Sequence, residues 1–289
     1  MAKSSKSRKS SSGSASTNVV AEARKGRGGK AKPAASRGWA WENIKSLAGA
    51  LLIFLFIRTF FIEAYKIPSG SMIPTLLVGD WLFVNKAIYG PTVPFTHIHI
   101  PGYSDPHRGD VVVFISPYQA DEAQLGHDPT PTLVKRLIGM PGDTLYMRDG
   151  VVYVNGIAQR QGFGARGYVG DPAQNRPDDT SPLFAWQGRI ALHDTRFGSA
   201  PAVPTHDNWG PLLIPAGDYF MMGDNRYCSK DSRYWGVVPR ANVRGRPIFV
   251  YYSYKPSPGG LTDCDGEASD RPLSFITDIR WGRIGHIIR

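Results

Sequence analysis

The sequence predicts a mainly β protein led by one membrane-spanning helix. Three observations carry that reading. Short runs of β-branched and aromatic residues recur after Asp80, bounded by Gly, Pro and Asp. Gly (32) and Pro (23) together approach a fifth of the 289 residues, which favours turns and short strands over a helical bundle. One uncharged apolar run, Leu47–Ile57, lies near the N-terminus, and no second stretch of spanning length follows.

The formal charge of +10 invites a nucleic-acid reading, but the excess sits in a tail. Residues 1–38 hold ten Lys/Arg and one acid, Glu22, which leaves 24 bases and 23 acids in the rest. The remainder has no surplus with which to neutralise a phosphate backbone, so no nucleic-acid partner is expected. The tail is Ser, Lys, Arg, Gly and Ala with almost no large apolar side chain. It is expected to be disordered and cytoplasmic, with attraction to anionic lipid as the sharper reading.

Residues 39–62 are expected to be a transmembrane anchor. A helix needs ~20 residues to cross the hydrocarbon. Trp39 to Ile62 suffices if Trp39 and Trp41 sit at one interface and Arg58 snorkels to the other. A cleaved secretory signal competes, but the best cleavage site on offer, Ile62-Glu63-Ala64, has a bulky residue at −3. The positive-inside rule puts the N-terminus in the cytoplasm and everything after Ile62 outside. The acid-poor, Arg/Ser-rich start also suits a transit peptide, which leaves an organelle membrane of bacterial origin as the alternative location.

The expected strands are Trp81–Val84, Val111–Ile115, Thr132–Ile138, Val151–Val154 and Pro247–Tyr254. Asp149-Gly150 and Asn155-Gly156 read as hairpin turns. A barrel or sandwich is expected, with residues 63–156 and 211–289 forming the core and 157–210 an inserted lobe weaker in pattern. Residues 255–272 read as a loose surface segment, and 273–289 return to apolar alternation.

Candidate chemistry is sparse. Two cysteines exclude a disulfide-dense scaffold and a four-cysteine zinc site. His97 and His99 would share a strand face, but no Cys or acid at ligand spacing joins them, so neither metal nor cofactor is expected. A Ser-His-Asp triad has no positive support, although its members need not be neighbours. In Ile67-Pro68-Ser69-Gly70-Ser71-Met72-Ile73-Pro74-Thr75 the prolines and glycine fix an extended, turn-like backbone that can present a hydroxyl; a plain linker is the competing reading. In the strand Thr132–Ile138, Leu133, Lys135 and Leu137 share one face. A lysine between leucines is partly desolvated, which lowers its pKa and makes a general base of it. A strand edge with snorkelling cations is the alternative. Gly223–Arg233 is a polar turn, which by itself suggests Asp–Arg pairing and nothing more specific.

These stretches resemble type I signal peptidases. The resemblance rests on Pro68-Ser69-Gly70-Ser71-Met72 with Pro74-Thr75, Gly79-Asp80 with Val84-Asn85-Lys86, and Arg108-Gly109-Asp110-Val111-Val112. It continues through Lys135-Arg136 with Gly139-Met140-Pro141-Gly142-Asp143. It closes on Gly223-Asp224-Asn225-Arg226, Ser229, Asp231-Ser232-Arg233 and Trp235-Gly236. It implies a core of antiparallel β-sheets with an inserted smaller lobe, and a membrane-bound serine endopeptidase that removes signal peptides from exported preproteins. It implies Ser71 as nucleophile and Lys135 as general base. Ser69 and the Ser71 backbone N–H would form the oxyanion hole, Ser229 would orient the lysine, and Asp231 and Arg233 would form a structural salt link. Expected partners are the signal peptides, membrane lipid and, transiently, the export machinery. The physics agrees, because a serine needs an adjacent base and a lysine base needs a dry site and an orienting partner.

Ile67, Pro68 and Leu133 are expected to wall the substrate pockets. Residues −1 and −3 of an extended substrate point to one side, and bulky walls admit only small residues there. That implies cleavage after a small-x-small pattern. Cys228 stands where a polar residue is more usual, and the sequence leaves open whether it pairs with Cys264. Two other readings survive: a self-cleaving Ser-Lys protease, which would be soluble, and a catalytically dead membrane-tethered β domain that binds exported chains.

Overall fold

A computed structural model describes residues 36–94, 96, 98–160, 178–256 and 273–289. Most of the basic tail, His97, residues 161–177 of the expected lobe, and nearly all of the expected loose segment with Cys264 lie outside these.

Helix α1, Ser36–Phe60, is 25 residues long, about 37 Å at ~1.5 Å per residue. Its segment Trp41–Phe60 has a mean hydropathy of 1.5 and is long and apolar enough to cross a membrane. The helix starts before Trp39, at Ser36, and stops at Phe60. Ile62 already belongs to a strand, because the β-prone residues after Phe60 pair with the next strand rather than extend the helix.

Among the described residues eleven strands follow: β1 Ile62–Lys66, β2 Asp80–Asn85, β3 Val111–Ile115, β4 Thr132–Gly139, β5 Thr144–Arg148, β6 Val151–Val154, β7 Ile157–Ala158, β8 Trp209–Leu213, β9 Asp218–Met222, β10 Val238–Pro239 and β11 Val243–Ser253. Every pairing is antiparallel, in a seven-stranded sheet ordered β1-β2-β11-β3-β4-β9-β10 and a four-stranded sheet ordered β7-β6-β5-β8. The only other helices among the described residues are short, α2 Ala120–Gln124, α3 Ser232–Trp235, α4 Ser274–Thr277 and a few single-turn or 3-10 pieces. Asp149-Gly150 and Asn155-Gly156 have positive φ at all four residues and turn β5 into β6 and β6 into β7.

The smaller sheet does not coincide with the expected lobe. Its centre is β5 and β6, from before residue 157, and β8 reaches past 210. Leu145, Met147, Val152 and Trp209 of that sheet bury themselves against Phe220 and Met222 of β9, so the two sheets share a core. The C-terminal stretch also differs from its alternating pattern. Residues 273–289 form α4, a 3-10 turn at Trp281–Arg283 and single bridges to Tyr254 and Phe249, with Ile288 plugged into the core.

A second apolar cluster holds Ile67, Met72, Leu76, Leu82, Val111, Val113 and Val250. It anchors the loop between β1 and β2, and this loop carries Ser71. A third cluster, with Val112, Phe114, Leu137 and Met221, lies on the other face of β3 and β4.

Candidate active site

The loop after Lys66 folds tightly onto itself. Ile67 exchanges backbone bonds with the far end of the loop, donating to Asp80 O at 2.8 Å and accepting from Gly79 N at 2.9 Å. Met72 and Leu76 turn inward and are almost wholly buried. Ser71 is left buried at the loop's inner edge, and its backbone N–H has no hydrogen-bond partner among the described residues.

Strand β4 brings Lys135 to it. Lys135 is held between Val112 on β3 and the loop, and its Nζ lies 2.6 Å from Ser71 Oγ. Burial pushes the lysine from an ordinary 10.5 down to about 8. The charge of Asp231 raises it, Arg233 lowers it and Asp224 raises it by smaller amounts. Strand β9 covers β4 only from Arg136 onward, so Thr132–Lys135 presents an edge with no strand beside it among the described residues. Between that edge and Ile67–Ser71 runs a cleft of about 80 Å³, lined by Ile67, Pro68, Ser69, Ser71, Leu133 and Lys135. Val134 rather than Leu133 packs with the cluster holding Ile67, while Leu133 leans on the cluster behind the sheet. Tyr65, Met72, Leu82, Val113 and Val134 also line the cleft and were not picked out from sequence.

The polar turn 223–233 closes the back of the site. Asn225 N donates to Ser71 O at 3.1 Å and Asn225 Nδ2 to Gly70 O at 3.2 Å. Gly223 is required by close approach. A Cβ there would fall 2.3 Å from Ser229 Oγ and 2.5 Å from Ser71 O. Ser229 is therefore buried beside Ser71, but its hydroxyl has no hydrogen-bond partner among the described residues, Lys135 included. Asp231 and Arg233 pair through two bonds, at 2.8 and 2.9 Å, with both side chains fully buried. Asp231 also accepts from Gly223 N at 3.0 Å and caps α3. Cys228 is disulfide-bonded.

Sequence reasoning gave no role to Arg136 and Asp224, although both fall in the quoted boxes. Arg136 Nε and Nη2 each lie 2.6 Å from an Asp224 oxygen, and Thr75 Oγ1 donates to the same carboxylate at 2.5 Å. One ion pair thus ties β4, the serine loop and the 223–233 turn together. Arg283 adds a brace from the C-terminal stretch, donating to Thr75 O at 3.0 Å and to buried Asp80. No local signal in the sequence joins residues so far apart. Among the described residues no three His, Cys, Asp or Glu side chains gather as metal ligands.

Residues 40–252 match the family described as signal peptidase, peptidase S26. The chain belongs to this family. It is 37% identical to the signal peptidase I of Pseudomonas aeruginosa over 226 residues, 73% of this chain and 72% of that one. It is 33% identical to that of Aquifex aeolicus, over 74% of this chain and 85% of the other. A signal peptidase I crystal structure from Enterococcus faecalis is 28% identical, covers 50% of this chain and 97% of its own, and has a TM-score of 0.28. The activity is that of a signal peptidase, a serine endopeptidase that processes the signal peptides of preproteins. One N-terminal helix long enough to span a bilayer fits a membrane-anchored enzyme.

Proposed function

We propose that Ser71 is the nucleophile of this peptidase and Lys135 its general base. The observation that carries the reading is the buried 2.6 Å contact between Lys135 Nζ and Ser71 Oγ, with the amine pushed down to about 8. A neutral Lys135 takes the Ser71 proton as Oγ attacks the scissile carbonyl, and later returns a proton to the leaving amine. The free Ser71 N–H and the Ser69 hydroxyl stabilise the oxyanion. Ser229 holds the lysine once its hydroxyl turns toward Nζ, which would satisfy the buried oxygen now without a partner. The Asp231–Arg233 pair keeps the 223–233 turn in register behind Ser71.

Substrate adds as an extended strand to the open edge of β4, through main-chain bonds that do not depend on sequence. Walls as bulky as Ile67, Pro68 and Leu133 around so small a cleft admit alanine, glycine or serine at −1 and −3. The result is cleavage after small-x-small. Helix α1 anchors the enzyme with the basic tail in the cytoplasm and the β domain outside, in contact with lipid and, transiently, with the export machinery.

The test offers a preprotein in trans in detergent. Wild type should release the mature fragment. Ser71→Ala and Lys135→Ala should each abolish release, and the double variant should be no worse, because the two act as a unit. Full activity in either single variant overturns the dyad. Efficient cleavage after leucine or phenylalanine overturns the pocket assignment. Protease added to sealed right-side-out vesicles should digest the β domain and spare the tail; the opposite pattern inverts the topology.

A further inference from the structure

His206 lies three residues before β8, is buried, and has no part in the chemistry assigned to Ser71. Its Nδ1 is 2.7 Å from Asp207 Oδ1. Its Nε2 faces two partners, the Arg226 carbonyl oxygen at 2.9 Å and Arg233 Nη1 at 2.5 Å. Those two make opposite demands. A carbonyl only accepts and calls for N–H on Nε2, whereas a guanidinium only donates and calls for a bare nitrogen. The proton decides which partner is held. With the ring neutral and its proton on Nδ1, Asp207 accepts from Nδ1 and Nε2 accepts from Arg233. With the ring protonated, Nε2–H turns to the Arg226 carbonyl and meets Arg233 as donor against donor and cation against cation.

We propose that His206 is a positioning residue for the catalytic lysine, neutral in the active enzyme, whose protonation releases Arg233 and switches the site off on the acid side. This rests on the Ser71–Lys135 reading above. Arg233 is the link. Besides both oxygens of Asp231 it holds the carbonyls of Arg226 at 2.6 Å and Ser229 at 3.4 Å. Asp231 in turn fixes Gly223 N, and Gly223 packs against Ser71 O and Ser229. A shift of Arg233 therefore reaches the backbone of Ser229 and the turn behind Ser71.

The surroundings set the sign of the effect. Asp207 lies against Nδ1, and Asp178 accepts from Asp207 N at 2.9 Å. Tyr227 stacks on the imidazole at 5.2 Å, its hydroxyl 3.5 Å from Asp207 Oδ2. Against them stand two buried guanidiniums, Arg226 and Arg233. Cation already crowds this space, since burial and then the Arg233 charge push Arg226 down to about 10. A third positive charge at Nε2 falls on the Arg233 side of the ring and displaces the residue that braces Asp231.

The experiment is kcat/KM against pH, from 9 to 5, for the full-length enzyme in detergent with a preprotein substrate. Lys135 alone gives a limb of unit slope in log kcat/KM below its own ionisation. Two groups that must both be deprotonated give a slope approaching two at lower pH. His206→Gln offers an acceptor to Arg233 and cannot take a proton. Its limb should keep unit slope, and by pH 5, relative to its own rate at pH 9, it should lose at least about tenfold less activity than wild type. A purely structural role would lower the rate alike at every pH. Unit slope in the wild type down to pH 5 overturns the proposal without any variant, so a His206→Gln chain that fails to fold does not shelter it. A steep wild-type limb that does not recover on return to pH 8 reports unfolding and overturns it as well. Failure of the dyad reading has a different signature, the absence of any ionisation near pH 8 in either enzyme.

Discussion

Replacing Lys135 with methionine should make the enzyme more stable at neutral pH while abolishing its activity. A lysine at about 8 when folded and 10.5 when unfolded resists protonation in the folded state. Below pH 8 both states carry the proton, and the folded state bears the full cost of a buried ammonium. The gap of about 2.5 units corresponds to roughly 3 kcal/mol. Between about pH 8 and 10.5 the unfolded chain binds more protons, so wild-type stability rises with pH across that window and the cost disappears above it. Methionine fills similar space without charge, but Ser71 loses its 2.6 Å partner, which costs about 1 kcal/mol. The net gain at pH 7 is roughly 2 kcal/mol, or about 4–8 °C in Tm for a domain of this size. Thermal melts of both proteins in one detergent, at pH 7 and near pH 10.5, measure it. The Met variant should melt higher at pH 7, and the order should reverse at the alkaline end. A variant that melts lower at pH 7, or a gap that does not change with pH, would refute a desolvated lysine at this position.

Asp231→Asn should move the acid limb of kcat/KM to lower pH, because the Asp231 charge raises the Lys135 pKa, and should cost about 3–5 kcal/mol by leaving Arg233 unpaired in the interior; a limb moved upward would contradict this. Gly223→Ala puts a Cβ 2.3 Å from Ser229 Oγ and 2.5 Å from Ser71 O, and should cut kcat at least about a hundredfold while costing about 1–3 kcal/mol in a denaturant melt. Wild-type turnover in that variant would show that the turn behind Ser71 can give way freely. Arg136→Met should lower both Tm and kcat, because the ion pair with Asp224 joins β4 to the serine loop, and the double variant with Asp224→Leu should recover part of the lost Tm. No recovery would mean that the pair contributes through something other than mutual neutralisation.

What the sequence made legible follows from the range of each signal. β3 fell on its expected residues because Val111–Ile115 is a continuous β-branched and aromatic run bounded by Asp110 and Ser116-Pro117. The two hairpin turns were legible because only a few residue types tolerate positive φ. β8 and β9 were missed. Trp209-Gly210-Pro211 reads as a loop, and its place in a strand is secured by pairing with β5 and by packing of Trp209 against Phe220, both far off in sequence. Strand composition likewise does not say which sheet a strand joins. Within the site, local pattern alone marked Ser71 and Lys135 as a hydroxyl on a stiff loop and a lysine among leucines, and only the family resemblance implied that they work together. Their meeting, 64 positions apart, is a property of the fold. His206 carried no local mark at all, because a histidine beside an aspartate is common and its partners Arg226 and Arg233 lie across the chain.

The charges around Lys135 show how the base role proposed for it is compatible with two nearby aspartates. Two aspartates, Asp231 and Asp224, are near enough to raise its pKa. Neither stands alone. Asp231 is held by Nε and Nη2 of Arg233, and Asp224 by Nε and Nη2 of Arg136. Each carboxylate spends its charge on a guanidinium that cannot lose its proton, and what reaches Lys135 is the small remainder of two nearly cancelled dipoles. Burial is then the largest influence left, and it favours the neutral amine. The arginines thus act on the Lys135 amine without touching the serine, and the spacing Asp231-Ser232-Arg233 is what lets one turn supply an anion and its neutraliser together.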